Sequence, residues 1–239
     1  DEAISLTQLK NGHWLLGVHI ADVSHFVQPK TALDREARER ATSVYLPDQV
    51  IPMLPEVISN NLASLQPDRV RYAVTAHIEF TEEGIRVGAE VFKSAIRSDR
   101  RFTYEEVDDF LAHRGAWKKK LAAPVHRLLG DMHRLAMTLR KRRFARGALE
   151  LSMPELSIDL DADGRVEGAH LEENTESHQI IEEFMLAANE AVAQWLADEG
   201  LFFLRRVHGP PDPRKLAALT EFVRDLGLKT ESLASRFAL

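Results

Sequence analysis

Three times along this chain, alternating apolar residues run into a short turn containing glycine, and a second alternating run leaves it. A period of two sends successive side chains to opposite faces of a strand, so each unit reads as an antiparallel hairpin with one buried face. The first joins Ile4 to Leu9 with Trp14 to Ile20 across Asn11-Gly12, and Trp14, Leu16, Val18 and Ile20 form its apolar side. Asn-Gly favours the positive φ angles of a two-residue type I′ turn, which is the expectation here. The second carries Val74, Ala76, Ile78 and Phe80 into Glu82-Glu83-Gly84 and out through Ile85, Val87, Ala89 and Val91. The third spans Ile158 to Asp161, turns at Gly164 and returns over Val166 to Leu171.

Helical spacing occupies much of the rest. Leu33 to Arg40 is charged and helix-prone, whereas Pro47, Pro52 and Pro55 force an extended or looped path from Tyr45 onward. Thr103 and Glu106 have capping-box spacing. Val125, Leu128, Leu129, Met132, Leu135, Ala136 and Leu139 mark one apolar stripe, running up to Gly147. Ser177 to Leu196 is strongly amphipathic and stops near Gly200; Asp212, Pro213 and Gly227 frame a last helix. The expected fold is α+β: antiparallel hairpins or a mixed sheet packed with several amphipathic helices, in a single domain covering 1–239.

With 239 residues, 44% of them hydrophobic, the chain can bury a large core. The absence of cysteine excludes disulfides and thiolate metal sites. No apolar run approaches the length of a membrane span, and no signal peptide opens the chain, so a cytoplasmic protein without a membrane partner is expected. Beginning at Asp1 rather than Met suggests a piece of something longer. The net charge of -6 means that any nucleic-acid surface must gather its cations locally.

Several segments, taken in order, resemble one family. They are Asp1-Glu2-Ala3-Ile4-Ser5, GVHIADVSHFV from Gly17, TSVYLPDQVIPMLP from Thr42, and Asn61 to Leu65. SAIRSDRRFTY from Ser94, GALEL from Gly147, ENTESHQIIEEFMLAANEAVA from Glu173, and Arg206-Val207-His208 complete the set. Their order and spacing resemble the catalytic domain of the ribonuclease II/ribonuclease R family over nearly the whole chain. The resemblance implies an RNB-type fold and a metal-dependent, processive 3′→5′ exoribonuclease that releases nucleoside 5′-monophosphates. It also implies Mg²⁺ (with Mn²⁺ an option) as cofactor and the 3′ end of single-stranded RNA as partner. The family's acidic motif is Asp, five residues, then Asp-x-Asp-Asp-Ala, and Asp1-Glu2-Ala3 aligns with its last three positions. Its first two aspartates, its downstream arginine segment and its flanking RNA-binding barrels are therefore expected outside this chain. No motif specifies an oligomeric state.

The resemblance assigns roles to particular residues. Asp1 and Glu2 are the expected metal ligands and catalytic acids, because hard carboxylate oxygens suit Mg²⁺. Glu2 departs from the family's Asp, and its extra methylene moves the carboxylate by about 1 Å in a site that tolerates poor geometry badly. Without the resemblance, the same pair reads as two solvated acids. Glu182 aligns with the family's acid near the bound RNA end. Helical periodicity puts Ile181, Phe184, Ala188, Val192 and Trp195 on one stripe, with His178, Glu182 and Asn189 along its border. The same wheel turns Glu176, Glu183 and Glu190 toward solvent, and gives His178 and Glu182 the spacing of a helix-surface hydrogen bond.

Tyr45 aligns with a family position that clamps the terminal nucleotide, and its ring could stack on a base. Leu151 takes the partner clamp position, which is aromatic in some members. Among the basic clusters, Arg97 and Arg101 fall in a matched segment and are the candidate phosphate contacts. Lys118 to Lys120 and Arg140 to Arg143 read instead as the two ends of the long helix, where the helix dipole favours cations at the C-terminus. Asp22 and His25 invite a metal reading, against which a satisfied buried polar pair stands as the plainer one. Glu2 and Leu151 motivate the runner-up function, an RNA-binding relative that kept the fold and lost catalysis. A structural interaction domain, favoured by the net acidity, is the third.

Overall fold

The computed structural model describes residues 2–150, 156–171, 173–230 and Leu233. Two hairpins, β1 (Glu2–Gln8) with β2 (Trp14–Ala21) and β5 (Val70–Phe80) with β6 (Arg86–Arg97), join edge to edge into a four-stranded antiparallel sheet of order β1-β2-β5-β6. Alternation fixes the register: Leu16 lies between Leu6 and Ile78, and Val18 between Ile4 and Ala76. A one-residue slip would turn this whole apolar set to the other face. Between the hairpins come α1 (Val23–Phe26), α2 (Ala32–Arg40), the two-residue strands β3 (Val44–Tyr45) and β4 (Val50–Ile51), and a π-helical turn, Val57–Leu62.

The helical half follows. Helix α3 (Tyr104–Ala112) carries the expected capping box, with Thr103 Oγ1 accepting from Glu106 N and Glu106 accepting from Thr103 N. Short α4 (Arg114–Trp117) leads to α5 (Ala123–Ala145). Lys118 to Lys120 thus lie in the turn between α4 and α5, not on the long helix. The isolated hairpin β7 (Leu156–Leu160) and β8 (Val166–Leu171) precedes α6 (Glu176–Asp198), and α7 (Pro213–Asp225) begins at the Asp212 cap. The His133–Glu176, Arg143–Glu183 and Arg146–Glu190 contacts advance together along both helices, so α5 and α6 run in the same direction.

The hairpins β1–β2, β5–β6 and β7–β8 each close by a three-residue loop, where a two-residue turn was expected at Asn11-Gly12. Leu9 N donates to His13 O and Gly12 N donates back to Leu9 O; Gly12 alone has positive φ, while Asn11 does not. Thr81 with Ile85 and Asp161 with Arg165 repeat the pattern around Gly84 and Gly164. The Asn11 side chain instead accepts from His13 N, which favours the longer loop over type I′.

The core lies on one face of the sheet. Leu16, Val18, Ile78 and Phe80 meet Met132, Leu135 and Ala136 of α5, together with Ile180, Phe184, Ala188 and Ala191 of α6. The other face is also buried near its centre, but by polar groups. Ser5 Oγ lies 2.9 Å from His19 Nε2, His19 Nδ1 lies 2.8 Å from Thr75 Oγ1, and Thr75 Oγ1 lies 2.6 Å from Ser94 Oγ. One polar side chain from each strand thus crosses the sheet. Gly17 permits it, since a Cβ there would overlap Ser5 Oγ and come within 2.9 Å of His19 Nε2.

Candidate active site

The turns at Gly12 and Gly84 cap one end of the sheet, so β1 begins, β2 ends, β5 begins and β6 ends at the other. There the register aligns Glu2, Ile20, Val74 and Lys93 in one row across all four strands. Glu2 is exposed and has no hydrogen-bond or ion-pair partner among the described residues. Asp1 and Leu151 lie outside the described residues.

Two residues beyond Ile20, the chain leaves β2 through Asp22, only 4% exposed. Ser24 Oγ donates to Asp22 Oδ1 at 2.5 Å and Lys93 Nζ reaches Oδ2 at 3.1 Å. The Ser24 hydroxyl, with help from Lys93 and against the opposing effect of burial, holds the Asp22 carboxyl below its usual range. His25 is not its side-chain partner: the imidazole is exposed and packs on Tyr72, with ring centroids 4.2 Å apart. The buried-pair reading of Asp22 and His25 is therefore corrected, and Asp22 is committed to Ser24 and Lys93. Among the described residues no three His, Asp or Glu side chains gather as a metal cluster. The free Glu2 carboxylate and the oxygen-only chemistry fit a hard divalent cation, which is commonly held by one or two carboxylates plus water and phosphate.

Tyr45 stands 78% exposed on the small β3–β4 hairpin. Leu46 N donating to Gln49 O closes this hairpin around Pro47-Asp48, and Met53 N donating to Ser43 Oγ ties down its base. The ring is presented to solvent rather than packed on the core. Arg97 ends β6, four residues past Lys93; it and Arg101 are exposed and without ion-pair partners among the described residues. Arg100, between them, bonds Glu106 at 3.1 Å and lies over the Phe102 ring, a structural commitment.

The α6 carboxylates are arranged differently from expectation. Glu183, read as a surface charge, is 3% exposed and bonds Arg143 Nη2 at 2.6 Å and Nε at 2.9 Å. Glu182 is the more exposed neighbour and reaches the same Arg143 Nη2 at 3.0 Å. Glu183 hydrogen bonding and charge, together with Glu182, keep the Arg143 guanidinium firmly protonated. Glu176 and Glu190 likewise face α5, through His133 and Arg146. A wheel drawn on α6 alone cannot register a second helix alongside it. The buried stripe runs through Ile180, Phe184, Ala188 and Ala191, displaced from the Ile181, Val192 and Trp195 positions. His178 does not bond Glu182; it meets Thr175 Oγ1 at 2.8 Å and stacks on Tyr104. Sequence reasoning passed over Lys93 and treated Arg143 as a helix-end charge. No local pattern marks either, since Lys93 lies on β6 and Arg143 on α5, while the acids they meet lie just past β2 and on α6.

Among the described residues no helix is long and apolar enough to cross a membrane. The family model described as "RNB domain" matches residues 1–238. Ribonuclease R of Chlamydia muridarum is 41% identical over 95% of this chain and 32% of its own length; that of Escherichia coli is 34% identical over 96% and 28%. A solved structure of Mycoplasma genitalium RNase R in complex with double-stranded RNA matches with TM-score 0.88 at 31% identity, over 99% of this chain and 43% of that one. A yeast pseudonuclease shares the fold, with TM-score 0.71 at 21% identity over 98% of this chain and 28% of that one. The chain spans about a third of the length of the curated relatives it matches. On the match over 1–238, the chain belongs to the RNB domain family.

Proposed function

We propose that this chain contributes to a hydrolytic exoribonuclease that degrades RNA from the 3′ end, processively, to nucleoside 5′-monophosphates. The observation that carries this reading is the free end of the sheet in an RNB domain: Glu2 and Arg97 are unpaired there, while nearby Asp22 is already neutralised. Asp1 and Glu2 would hold Mg²⁺, or Mn²⁺ in its place. The metal, when bound, supplies a polarised phosphate and an activated water. Tyr45 offers an aromatic face for the terminal base, and Leu151 supplies apolar contact without stacking. Arg97 and Arg101 bind backbone phosphates. Glu182, held by Arg143, offers a carboxylate to the terminal ribose. RNA in this role accords with the solved complexes of Mycoplasma genitalium RNase R with double-stranded RNA and with ribose-methylated single-stranded RNA.

The test uses the full-length protein with a 5′-labelled single-stranded RNA, in Mg²⁺ or in chelator. A ladder collapsing to a short product only with metal is the expected outcome, and Asp1→Asn should abolish it while sparing RNA binding. Retained cleavage by that variant removes Asp1 from the metal site. The second reading, an RNA-binding relative without catalysis, draws on Glu2 in place of Asp and on the pseudonuclease that shares this fold. RNA that is bound but stays intact would establish it.

A further inference from the structure

A cavity of about 290 Å³ opens between α4 and α5, lined by Arg114, Arg127, Arg134, His126 and His133 with Phe110 at its base. It lies away from the proposed hydrolytic end. Arg134 sits over the ring of Trp14, at the turn end of β2, whereas Glu2 pairs with Ile20, six residues along the strand and about 20 Å away. In a chain of net charge -6, three guanidiniums facing one cavity carboxylate, Asp131, form a local reversal of sign.

The cations differ in how far they are spent. Arg134 is committed to Asp131 at 2.8 Å and to the Trp14 face. Arg114 Nη2 donates to His133 Nδ1 at 3.3 Å, so that imidazole must carry its proton on Nε2, which donates to Glu176 at 2.9 Å. A relay from α6 through α5 therefore aims the Arg114 fork, and Phe110 supports the guanidinium from below at 5.7 Å. His126 Nε2 donates to the Arg114 carbonyl at 2.9 Å, fixing the backbone of the same residue. Arg127 has no hydrogen-bond or ion-pair partner among the described residues, so all its donors are free. Gly130, a helix-weakening residue inside the 23-residue α5, lines the cavity beside this fork: a Cβ there would make an ordinary contact, 3.5 Å from Arg114 Nη1, so only a longer side chain would fill the space.

We infer that this cavity is an anion site taking a phosphate group, with Arg127 and the aimed Arg114 as its two forks. Planar guanidinium forks match tetrahedral oxyanions, and alignment before binding removes part of the ordering cost. The phosphate can belong to a free anion or monoester, or to the RNA backbone. The site requires no hydrolysis, so it stands or falls separately from the exoribonuclease reading.

The experiment titrates the full-length protein in chelator, at fixed ionic strength, with inorganic phosphate by calorimetry and with a single-stranded RNA by anisotropy. Arg127→Ala removes the free fork from an exposed helix position. Gly130→Leu fills the cavity while raising helix propensity, and urea unfolding of both variants checks that the fold is kept. Each variant should weaken binding about tenfold, the scale of one charge-assisted hydrogen-bonded contact. A loss confined to phosphate names the free anion or monoester as ligand. A loss that includes RNA, with the salt slope reduced by about one in Arg127→Ala, names the backbone. Unchanged affinity for both probes in both variants overturns the site.

Discussion

The two faces of the four-stranded sheet are both buried at their centre, by opposite means. On one, Leu16, Val18 and Ile78 interlock with α5 and α6, and their stabilisation scales with the volume and area removed from water. On the other, Ser5, His19, Thr75 and Ser94 each satisfy a neighbour across a strand boundary. The apolar face should tolerate a change of shape that conserves volume. The polar face should tolerate no change that strands a partner, whatever its volume, because an unpaired buried polar group keeps its full desolvation penalty.

The largest expected effect lies on the apolar face. Phe184 is fully buried against it, and Phe184→Ala should cost about 3–5 kcal/mol, measured as a shift of the urea midpoint with the slope unchanged. Phe184→Leu should recover most of that loss; an equal cost for both would mean that the face is not packed as described. At the border of this face, Glu183→Ala removes the buried partner of Arg143 and should cost about 2 kcal/mol, less than breaking a fully buried pair, since Glu182 still reaches the guanidinium. Glu182→Ala should cost much less in stability. Equal costs would contradict the different burial of the two acids.

The polar face gives intermediate effects. Thr75→Val conserves volume yet leaves His19 Nδ1 and Ser94 Oγ without their shared hydroxyl, at about 1–3 kcal/mol. A neutral result by thermal unfolding would show that the row is not a connected network. Gly17→Ala adds a single methyl, but it must push Ser5 from His19, and a similar loss is expected.

The same contrast governs what the sequence made legible. Period-two alternation found the apolar face and its hairpins, because hydrophobic patterning is local, but not the β2–β5 pairing that joins them. The caps at Thr103 and Asp212 were legible for the same reason. The polar row was not, since Ser5, His19, Thr75 and Ser94 meet only once four strands are in register. Glu183 was misread because its burial comes from α5, forty residues away in sequence from the acid it meets. At the proposed site, Tyr45, Arg97 and Arg101 are exposed in the fold, which periodicity alone did not indicate, while Asp22 belongs to Ser24 and to Lys93 on a distant strand.

The smallest expected effect is also the most specific to the polar face. Its hydrogen bonds alone would accept an imidazolium, since Ser5 and Thr75 hydroxyls can both accept. What opposes protonation is burial of His19 and, after it, the neighbouring His77, which together lower the His19 pKa from 6.5. The unfolded chain therefore binds this proton more readily than the folded one. The contribution of neutral His19 is complete above pH 6.5 and is lost as pH falls through the folded-state value. Asp22 behaves with the same sign in a lower window, beginning below its ordinary value of 3.8, so the two are separable. Unfolding free energies measured from pH 7.5 down to 5 should decline more steeply in the native protein than in His19→Gln. Parallel curves would show that the imidazole is not held neutral by its surroundings, and the burial of the polar face would then need another explanation.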